Sequence, residues 1–432
     1  MPDVFERFFE QFGKNVSDYY SLVRLDPSYR IYWQNDFVDI PADYTELRKL
    51  FEKIEKGSAS KLDYYLKEAF IKYKIGIRDL VYKPGQSLME FLDWGIIKNV
   101  FKLDVFTSIR SHVARHFQDP RLRQLMEFPV LFLGALPQHT PALYSLMNYA
   151  DIVGGTWYPE GGMFSVVEAM QSLAEELGAK FVFEEEAKEL VFEKNRIKKL
   201  VTSAYEYEVD AVISGADYYF TEFHLLPKKY RTYKETYWDK RVLAPSCLLY
   251  YIGINKKLNN VLHHSLFFDV PFEKHADQIY ANPQWPDEPL FYLSVTSKTD
   301  NKAAPAGCEN LVVLVPVASG LKDDNSELRE YYFQKIIQRL EKHTGESIAD
   351  AIIFKKTFSV SDFQKEYYSY KGNAYGLANV LKQTALFRPS CQSKKVKNLF
   401  YTGQFTVPGP GVPPSLISGE VVSKQVLKCF NS

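Results

Sequence analysis

The stretch that decides the fold lies near the end of the chain. It reads Gly403-Gln404-Phe405-Thr406-Val407-Pro408-Gly409-Pro410-Gly411-Val412-Pro413-Pro414-Ser415. An apolar run at 399–402 precedes it and predicts a buried strand, and residues 415–428 predict a closing helix with spaced apolar positions. The order strand, Gly/Pro turn and helix therefore predicts one crossover of an α/β sheet.

This turn also predicts a binding site. Glycines let a ligand approach the backbone, and a helix that follows directs free N–H groups and its positive dipole end at that ligand. Pro413 and Pro414 cannot donate, so the usable N–H groups are those of Gly411, Val412 and Ser415. Such a site suits an anionic group or charge that develops in a reaction. A tight connection that only begins a helix explains the pattern equally well.

Upstream of this turn the chain alternates helix and strand. A helix is predicted from Met163 to a stop at Gly178, with Met163, Val166, Val167 and Leu173 on its apolar face, and strands follow at 179–183, 187–192, 197–201 and 209–214. Longer strands are predicted at 247–254, 266–270, 290–295 and 311–317, and a helix at 326–343. Residues 1 to about 150 predict mainly helices, including an amphipathic one at the N-terminus. The predicted fold class is therefore α/β (α+β).

Composition excludes several classes of function. Lys+Arg and Asp+Glu both number 53, so the net charge is zero and no basic face for nucleic acid is indicated. The four Cys lie far apart without a CxxC pair, which predicts neither a zinc site nor a disulfide framework and favours a reducing cytosol. Aromatic residues make up 15% of the 432 residues, which indicates either a bulky core or the lining of an apolar path.

Two clusters carry ionisable chemistry. His112 and His116 have the four-residue spacing of a metal-binding pair, but no acid lies within that turn and no third His is near. A solvated or capped pair is therefore favoured, and no metal is predicted. In the second cluster Asp119 precedes Arg121 and Arg123, an arrangement that suits either a structural clamp or an active-site acid or base held charged.

Several motifs in order resemble those of the bacterial phytoene desaturase family, carotenoid enzymes with an amine-oxidase-like fold. They are residues 117–124 (FQDPRLRQ), 158–163 (YPEGGM), 372–377 (GNAYGL) with 387–389 (FRP), and 398 through the Gly/Pro turn. The resemblance runs the length of the chain. It implies non-covalent FAD, a Rossmann-like FAD-binding domain interleaved with a sheet-plus-helices substrate domain, and desaturation of a long apolar polyene such as phytoene.

The resemblance also implies a division of the chain. Residues 1–154 form a mostly helical, membrane-facing part of the substrate domain, and residues 221–395 form the part with the mixed sheet. Residues 155–220 and 396–432 form the middle and C-terminal parts of the FAD domain. For the cofactor it implies contacts from Ala187, Gly215, Gly403, Gln404, Gly411, Val412, Pro413 and Ser415.

Two departures from the family pattern stand out. Family members begin with a strand, a GxGxxG turn and a helix that hold the FAD pyrophosphate, and no GxGxxG occurs in this sequence. Residues 1–5 resemble a segment roughly 60 residues inside a complete member, so we expect an incomplete FAD domain that holds FAD poorly. The closing turn departs from the usual residues of the wider family, as it would in a variant branch of that family. The residues that differ are Gln404, Phe405, Val407 and Pro410.

The resemblance suggests a mechanism. A polyene has no activated hydrogen, so a cofactor must accept the electrons. Hydride transfer from an allylic carbon to the flavin leaves a proton, for which Asp119 is the candidate acceptor, with Arg121 or Arg123 holding it ionised or positioning the substrate. Alternatives are a carotenoid isomerase, an oxygenase, a retinol saturase-like enzyme, or a flavin-free, non-catalytic fragment.

A polyene is insoluble in water and must come from a bilayer. We therefore expect peripheral contact with the inner face of the cell membrane by a cytoplasmic protein, through helices between about 60 and 145. The candidate contact residues are Phe128, Leu131, Phe132 and Leu133.

Overall fold

A computed structural model describes residues 1–87, 90, 104–134 and 136–431. Its helices are Pro2–Glu10, Tyr44–Ile54, Ser58–Ile75, Ile109–His116, Pro120–Glu127, Leu146–Ile152, Met163–Glu176, Tyr218–Phe220, Glu235–Asp239, Phe272–Tyr280, Ser326–Thr344, Val360–Glu366 and the closing helix Val412–Asn431. The strands are β1 Leu22–Arg24, β2 Tyr29–Tyr32, β3 Phe37–Ile40, β4 Trp157–Pro159, β5 Ala187–Glu193, β6 Arg196–Thr202, β7 Glu206–Glu208, β8 Val212–Ser214, β9 Ser246–Ile254, β10 His264–Phe267, β11 Phe291–Ser294, β12 Glu309–Val317, β13 Ile352–Phe358 and β14 Leu399–Tyr401.

The largest sheet has seven strands in the order β13-β9-β12-β11-β10-β2-β3. Its neighbours are antiparallel except for the parallel pair β10 and β2. Along β12, fully buried residues alternate with half-buried ones, as expected when every second side chain enters a core. That core is shared with the helix Ser326–Thr344, through residues such as Val313 and Ile336. The predicted mixed sheet and its helix are confirmed.

The first 40 residues contain strands that the helical reading missed. β2 and β3 complete the large sheet at one edge, and β1 pairs with β4. These strands are only three or four residues long and include Arg24, Arg30 and Asp39. A short, charged strand has no clear period of two, so its pairing depends on contacts distant in sequence.

The second structural part holds the closing turn. β8 and β14 form a parallel pair, and β5, β6 and β7 form a separate antiparallel sheet. The chain leaves β14, makes the Gly/Pro turn and enters the closing helix. The N-terminal helix lies against this closing helix, with Arg7 Nη2 3.1 Å from Glu420 Oε1. The predicted α/β class is confirmed, whereas the proposed domain boundaries stay predictions.

Two predictions near residue 170 are wrong. Residues 179–183 form no strand, and Phe181, Val182 and Phe183 are exposed, because no neighbouring strand in the described part of the chain supplies ladder hydrogen bonds. The helix Met163–Glu176 does form, but its buried side is narrower than predicted. Val166 and Leu173 are buried, whereas Met163 and Val167 are more than half exposed.

Within the described residues, no helix is both long and apolar enough to cross a bilayer.

A buried ion-pair network fastens the helix Ser326–Thr344 to the large sheet. Asp269, just beyond β10, accepts hydrogen bonds from Arg339 Nε at 3.0 Å and from Arg339 Nη2, and His343 Nε2 lies 2.8 Å from its Oδ2. Burial alone would raise the pKa of Asp269, but the bonds to His343 and Arg339 prevail and lower it to about 2. The folded state therefore holds this carboxylate charged.

We expect Asp269→Asn to lower the free energy of unfolding at pH 7 by about 3 kcal/mol, since it leaves a buried guanidinium without its counter-charge. Because the folded pKa lies below the ordinary value of 3.8, the network's contribution is present at neutral pH and is lost as the pH falls from about 4 towards 2. Urea unfolding across this pH range measures both effects. The exposed Asp323→Asn is the control, and equal losses in the two variants would contradict the assignment.

Candidate functional site

The closing turn folds back on the first turns of the closing helix. The Ser418 hydroxyl accepts a hydrogen bond from the Gly403 N–H at 3.0 Å, and Thr406 Oγ1 donates to the Gly403 carbonyl at 2.9 Å. The Ser415 N–H donates to the Gly411 carbonyl at 2.9 Å, so the expectation that it serves a ligand is wrong. Within the described residues, the N–H groups of Gly411 and Val412 donate to no protein acceptor. They therefore remain for a ligand.

Glycine is required where this turn meets its neighbours. Gly409 has φ +133°, and a Cβ built there would lie 2.8 Å from Arg388 Nη2, which is too close. Gly403 has φ +101°, but nothing lies within 4 Å of its Cβ position. The open space beside the Gly403 backbone is the feature expected of a turn that holds a cofactor, so the local geometry fits one.

That open space belongs to a cavity of about 510 Å³, here called the polar cavity. The predicted cofactor residues that line it are Gly215, Gly403, Gln404 and Ser415. They come from the end of β8 and from the closing turn, which the parallel pairing of β8 and β14 brings side by side. The structure thus brings together half of the predicted cofactor residues.

Two further residues of the polar cavity were missed by the sequence analysis. Asp217 caps the helix Tyr218–Phe220, and its other oxygen accepts a hydrogen bond from the Tyr370 N–H at 2.9 Å. Burial raises the pKa of Asp217 to about 6 despite these amides. Asn373 Oδ1 accepts bonds from the Gly376 N–H at 2.6 Å and from Gln404 Nε2 at 3.3 Å, and so orients Gln404. Asn373 lies in the quoted motif 372–377, and Asp217 follows the predicted cofactor residue Gly215 by two positions, which was the available signal.

On its other side the closing turn borders a second cavity, here called the apolar cavity. It also measures about 510 Å³, and Pro408, Pro410, Gly411 and Pro413 form one wall. The facing walls include Ile77, Phe128, Tyr144, Met147, Trp157 and Tyr375. Phe128 and Tyr375 also line a small, partly open space of about 50 Å³ between the large sheet and the helix Phe272–Tyr280. Phe128 and Tyr375 therefore border two apolar spaces, one beside the closing turn and one beside the sheet.

Asp151 is the carboxylate among the residues that line the apolar cavity. Burial raises its pKa to about 6, although the Tyr29 hydroxyl donates a hydrogen bond to Oδ2 at 2.8 Å. At neutral pH this group is mostly ionised and still a better proton acceptor than an ordinary aspartate. Sequence reasoning missed it, because its neighbours in the chain, Ala150 and Ile152, read only as part of an apolar helix.

The predicted catalytic residues lie outside both cavities. They are Asp119, Arg121 and Arg123. Asp119 caps the helix Pro120–Glu127 and accepts bonds from the Arg121 N–H at 2.8 Å and from Arg121 Nη2 at 3.0 Å. Burial opposes these bonds, but they prevail and lower the pKa of Asp119. Arg123 Nε donates to the Phe117 carbonyl at 2.8 Å. None of the three residues lines either cavity, so the geometry matches the structural clamp.

The remaining predicted cofactor residues divide between two places. Gly411 and Pro413 line the apolar cavity, and Val412 between them is half exposed. Ala187 lies at the start of β5 and lines neither cavity. Its contact with the cofactor stays a prediction.

Arg388 joins the closing turn to the chain that precedes it. It is buried and donates to the carbonyls of Gln404 and Leu377, both at 3.1 Å, and to Asn379 Oδ1. Burial lowers the pKa of Arg388 to about 10, so it is charged at neutral pH. Among the described residues no carboxylate pairs with it, and its Nε has no partner. A buried positive charge beside a cofactor turn favours an anionic group there.

The site can be compared with known proteins. Residues 6–427 match the family described as flavin containing amine oxidoreductase. The chain is 39% identical to a carotenoid 3,4-desaturase of Haloarcula japonica, over 99% of this chain and 87% of that protein. It is 29% identical to a zeta-carotene-forming phytoene desaturase of Myxococcus xanthus, over 99% and 83%.

Solved structures resemble the fold at low sequence identity. An oxidoreductase from Methanosarcina mazei has a TM-score of 0.60 at 13% identity, covering 98% of this chain and 85% of that one. A putrescine oxidase variant redesigned in cofactor binding has a TM-score of 0.58 at 11% identity, covering 100% and 86%. At such identity the likeness extends to the fold alone.

We expect Arg388→Met to lower the free energy of unfolding by about 2 kcal/mol, because it leaves the buried carbonyls of Gln404 and Leu377 without donors. Arg241→Met is the matched control. Arg241 stacks on the Tyr237 ring at 4.1 Å and is half-buried, so its loss should cost about 0.5 kcal/mol or less. Urea unfolding followed by tryptophan fluorescence measures both variants. A control loss as large as that of Arg388→Met would contradict the role of Arg388.

Proposed function

Because the chain belongs to the flavin containing amine oxidoreductase family, we propose that it is an FAD-dependent desaturase of a carotenoid polyene. Family membership confirms the predicted flavin cofactor, and the predicted carotenoid desaturase family is confirmed by the relative at 39% identity. The observation that carries the proposal is the apolar cavity that borders the closing turn. A long hydrocarbon fits the mainly apolar lining of this cavity.

The apolar cavity and the closing turn have separate tasks. Phe128 and Tyr375, which line both the apolar cavity and the smaller space beside the sheet, bind the hydrocarbon and exclude water. When bound, FAD supplies the two-electron acceptor for the hydride taken from an allylic carbon. The N–H groups of Gly411 and Val412, together with the dipole of the closing helix, stabilise negative charge that develops at the turn.

The second hydrogen leaves as a proton, and Asp151 is the acceptor that the geometry favours. Its carboxylate lines the apolar cavity, and the Tyr29 hydroxyl bond to Oδ2 fixes its orientation. Asp119, the acceptor expected from the sequence, lies outside both cavities, and its lowered pKa makes it a weaker base. The two aspartates therefore offer a direct comparison.

We expect cells that accumulate phytoene or lycopene to form more unsaturated products when they express the longest reading frame that contains this chain. Asp151→Asn should reduce product formation about 100-fold, the usual contribution of a general base. Because the pKa of Asp151 is about 6, the wild-type rate should fall as the pH drops below that value. Chromatography with absorption spectra of the polyenes measures the products.

Asp119→Asn is the matched control, since Asn caps a helix as well as Asp does and should leave the rate within about threefold. Wild-type activity in Asp151→Asn would remove that residue from the mechanism. Oxygenated or merely isomerised products would contradict desaturation itself.

For its substrate source we propose peripheral contact of a cytoplasmic protein with the inner face of the cell membrane. Support comes from exposed apolar side chains in the predicted region, above all Phe106, which is 90% exposed, and Phe70 on the helix Ser58–Ile75. Of the residues nominated for this contact, Phe128 is wrong, because it is buried against the apolar cavity. The side chains of Leu131, Phe132 and Leu133 lie outside the described residues.

We expect the purified chain to float with liposomes in a density gradient, because exposed aromatic side chains partition into the lipid interface. Phe106→Ser should at least halve the floating fraction. Phe430→Ser removes a ring that is 55% exposed on the closing helix and should leave flotation unchanged. The membrane proposal fails if the wild-type chain stays at the bottom of the gradient, and the assigned surface fails if both variants behave alike.

A further inference from the structure

Two helices of the N-terminal part bring three possible metal ligands together. His112 and His116 lie one turn apart on the helix Ile109–His116, and Glu68 faces them from the helix Ser58–Ile75. Glu68 Oε2 is 3.8 Å from His112 Nε2 and 3.7 Å from His116 Nε2, and one ligand atom from each residue lies within 4.8 Å of the others. The acid that the local sequence lacked is therefore supplied by another helix.

One of the three possible ligand atoms, the Nε2 of His112, forms no hydrogen bond. His112 is 2% exposed, and its Nε2 is buried without a hydrogen-bond partner in the structure. The expectation of a solvated pair is thus wrong for His112. A buried ring nitrogen left without a partner is unfavourable, and a bound cation would remove that cost.

We propose that Glu68, His112 and His116 bind a divalent first-row transition metal ion, with Zn²⁺ as the best match. Two imidazoles and one carboxylate are a ligand set that proteins use for Zn²⁺, whereas Mg²⁺ and Ca²⁺ prefer oxygen alone. Tetrahedral bonds of about 2.0–2.1 Å place donor atoms roughly 3.3 Å apart. Small side-chain rotations close the present separations to that value and leave a fourth position for water.

Burial acts on all three ligands, and it raises the pKa of Glu68 while it disfavours protonation of the two histidines. Burial lowers the pKa of His112 to about 3, with Lys72 and His116 adding to the effect, and burial also lowers the pKa of His116. Burial thus acts in favour of the uncharged imidazole, which is the form that binds metal.

Positive charge near the site is partly offset. Lys72 Nζ pairs with Asp104 Oδ2 at 2.9 Å, and its side chain is only 1% exposed. Arg115 and Lys61 contribute further positive potential at the histidines. Glu68 and Asp104 thus supply two negative charges against these groups and a dication. This balance favours moderate affinity over the tight binding of a site with three or four anionic ligands.

A metal at this point would act as a clamp. It would join the helix Ser58–Ile75 to the helix Ile109–His116, whose buried residues share one core, including Leu66, Val113 and Phe117. The role is structural, and it does not depend on the reaction proposed above.

The test begins with the full chain, freed of metal with EDTA and incubated with Co²⁺ or Zn²⁺. We expect about one equivalent of metal to remain after gel filtration, measured by atomic emission. The Co²⁺ form should show the visible absorption of a four-coordinate ion, and Zn²⁺ should raise the unfolding midpoint by a few degrees.

Glu68→Gln and His116→Ala should abolish all three signals, and His139→Ala, which removes an exposed histidine outside the cluster, should abolish none. Glu68→Gln preserves size and helix propensity, so it keeps the comparison valid if His116→Ala folds poorly. The proposal is overturned if the wild-type chain retains no stoichiometric metal, or if Glu68→Gln retains as much as the wild type.

Discussion

The structure depends on how the closing turn is held against the chain that precedes it. Gly376 approaches the Gln404 backbone so closely that a Cβ would lie 2.9 Å from its carbonyl oxygen, and Arg388 donates to that same carbonyl. Asn373 orients the Gln404 side chain from the same segment. Because these contacts fix the backbone of the turn, they also fix the wall that separates the polar cavity from the apolar one.

The polar cavity and the apolar cavity suit different parts of the two reactants. A hydrocarbon gains by leaving water, whereas the charged parts of a cofactor need N–H donors and fixed dipoles. Gly403 and Gln404 face the polar cavity, while Pro408, Pro410 and Pro413 face the apolar one. Prolines have no N–H to leave unsatisfied, so they suit a wall that contacts hydrocarbon, and Gly411 beside them keeps an N–H at the boundary.

The sequence predicted the features that are local in the chain. The closing strand, turn and helix, the long strands β9 and β12, and the helix Ser326–Thr344 all follow from periodicity and Gly/Pro placement within one segment. Wider inferences, the family and its flavin, depended on several motifs in a fixed order. Each of these signals can be read without knowing which segments are neighbours.

The features that the sequence did not predict depend on contacts between residues that are far apart in the chain. Asp151 gains its raised pKa only because a folded cavity surrounds it, and Glu68 meets His112 only because two helices pack. Asp119 is the opposite case. Its motif suggested a catalytic role, but its hydrogen bonds are those of a helix cap. A carboxylate's chemistry is set by desolvation and charge partners, and neither is a property of its own segment.

The aromatic residues also divide into two groups, those that fill a core and those that line a cavity. Many of the rings fill cores, as Phe267 does where it stacks on Phe291 at 4.2 Å and on Tyr32 at 4.7 Å. Phe128 and Tyr375 instead line space that the protein leaves open. A core that only needed stability would close such space, because an unfilled cavity forfeits contacts of its lining. An apolar cavity that borders a polar turn therefore favours an occupant, and a polyene matches its lining.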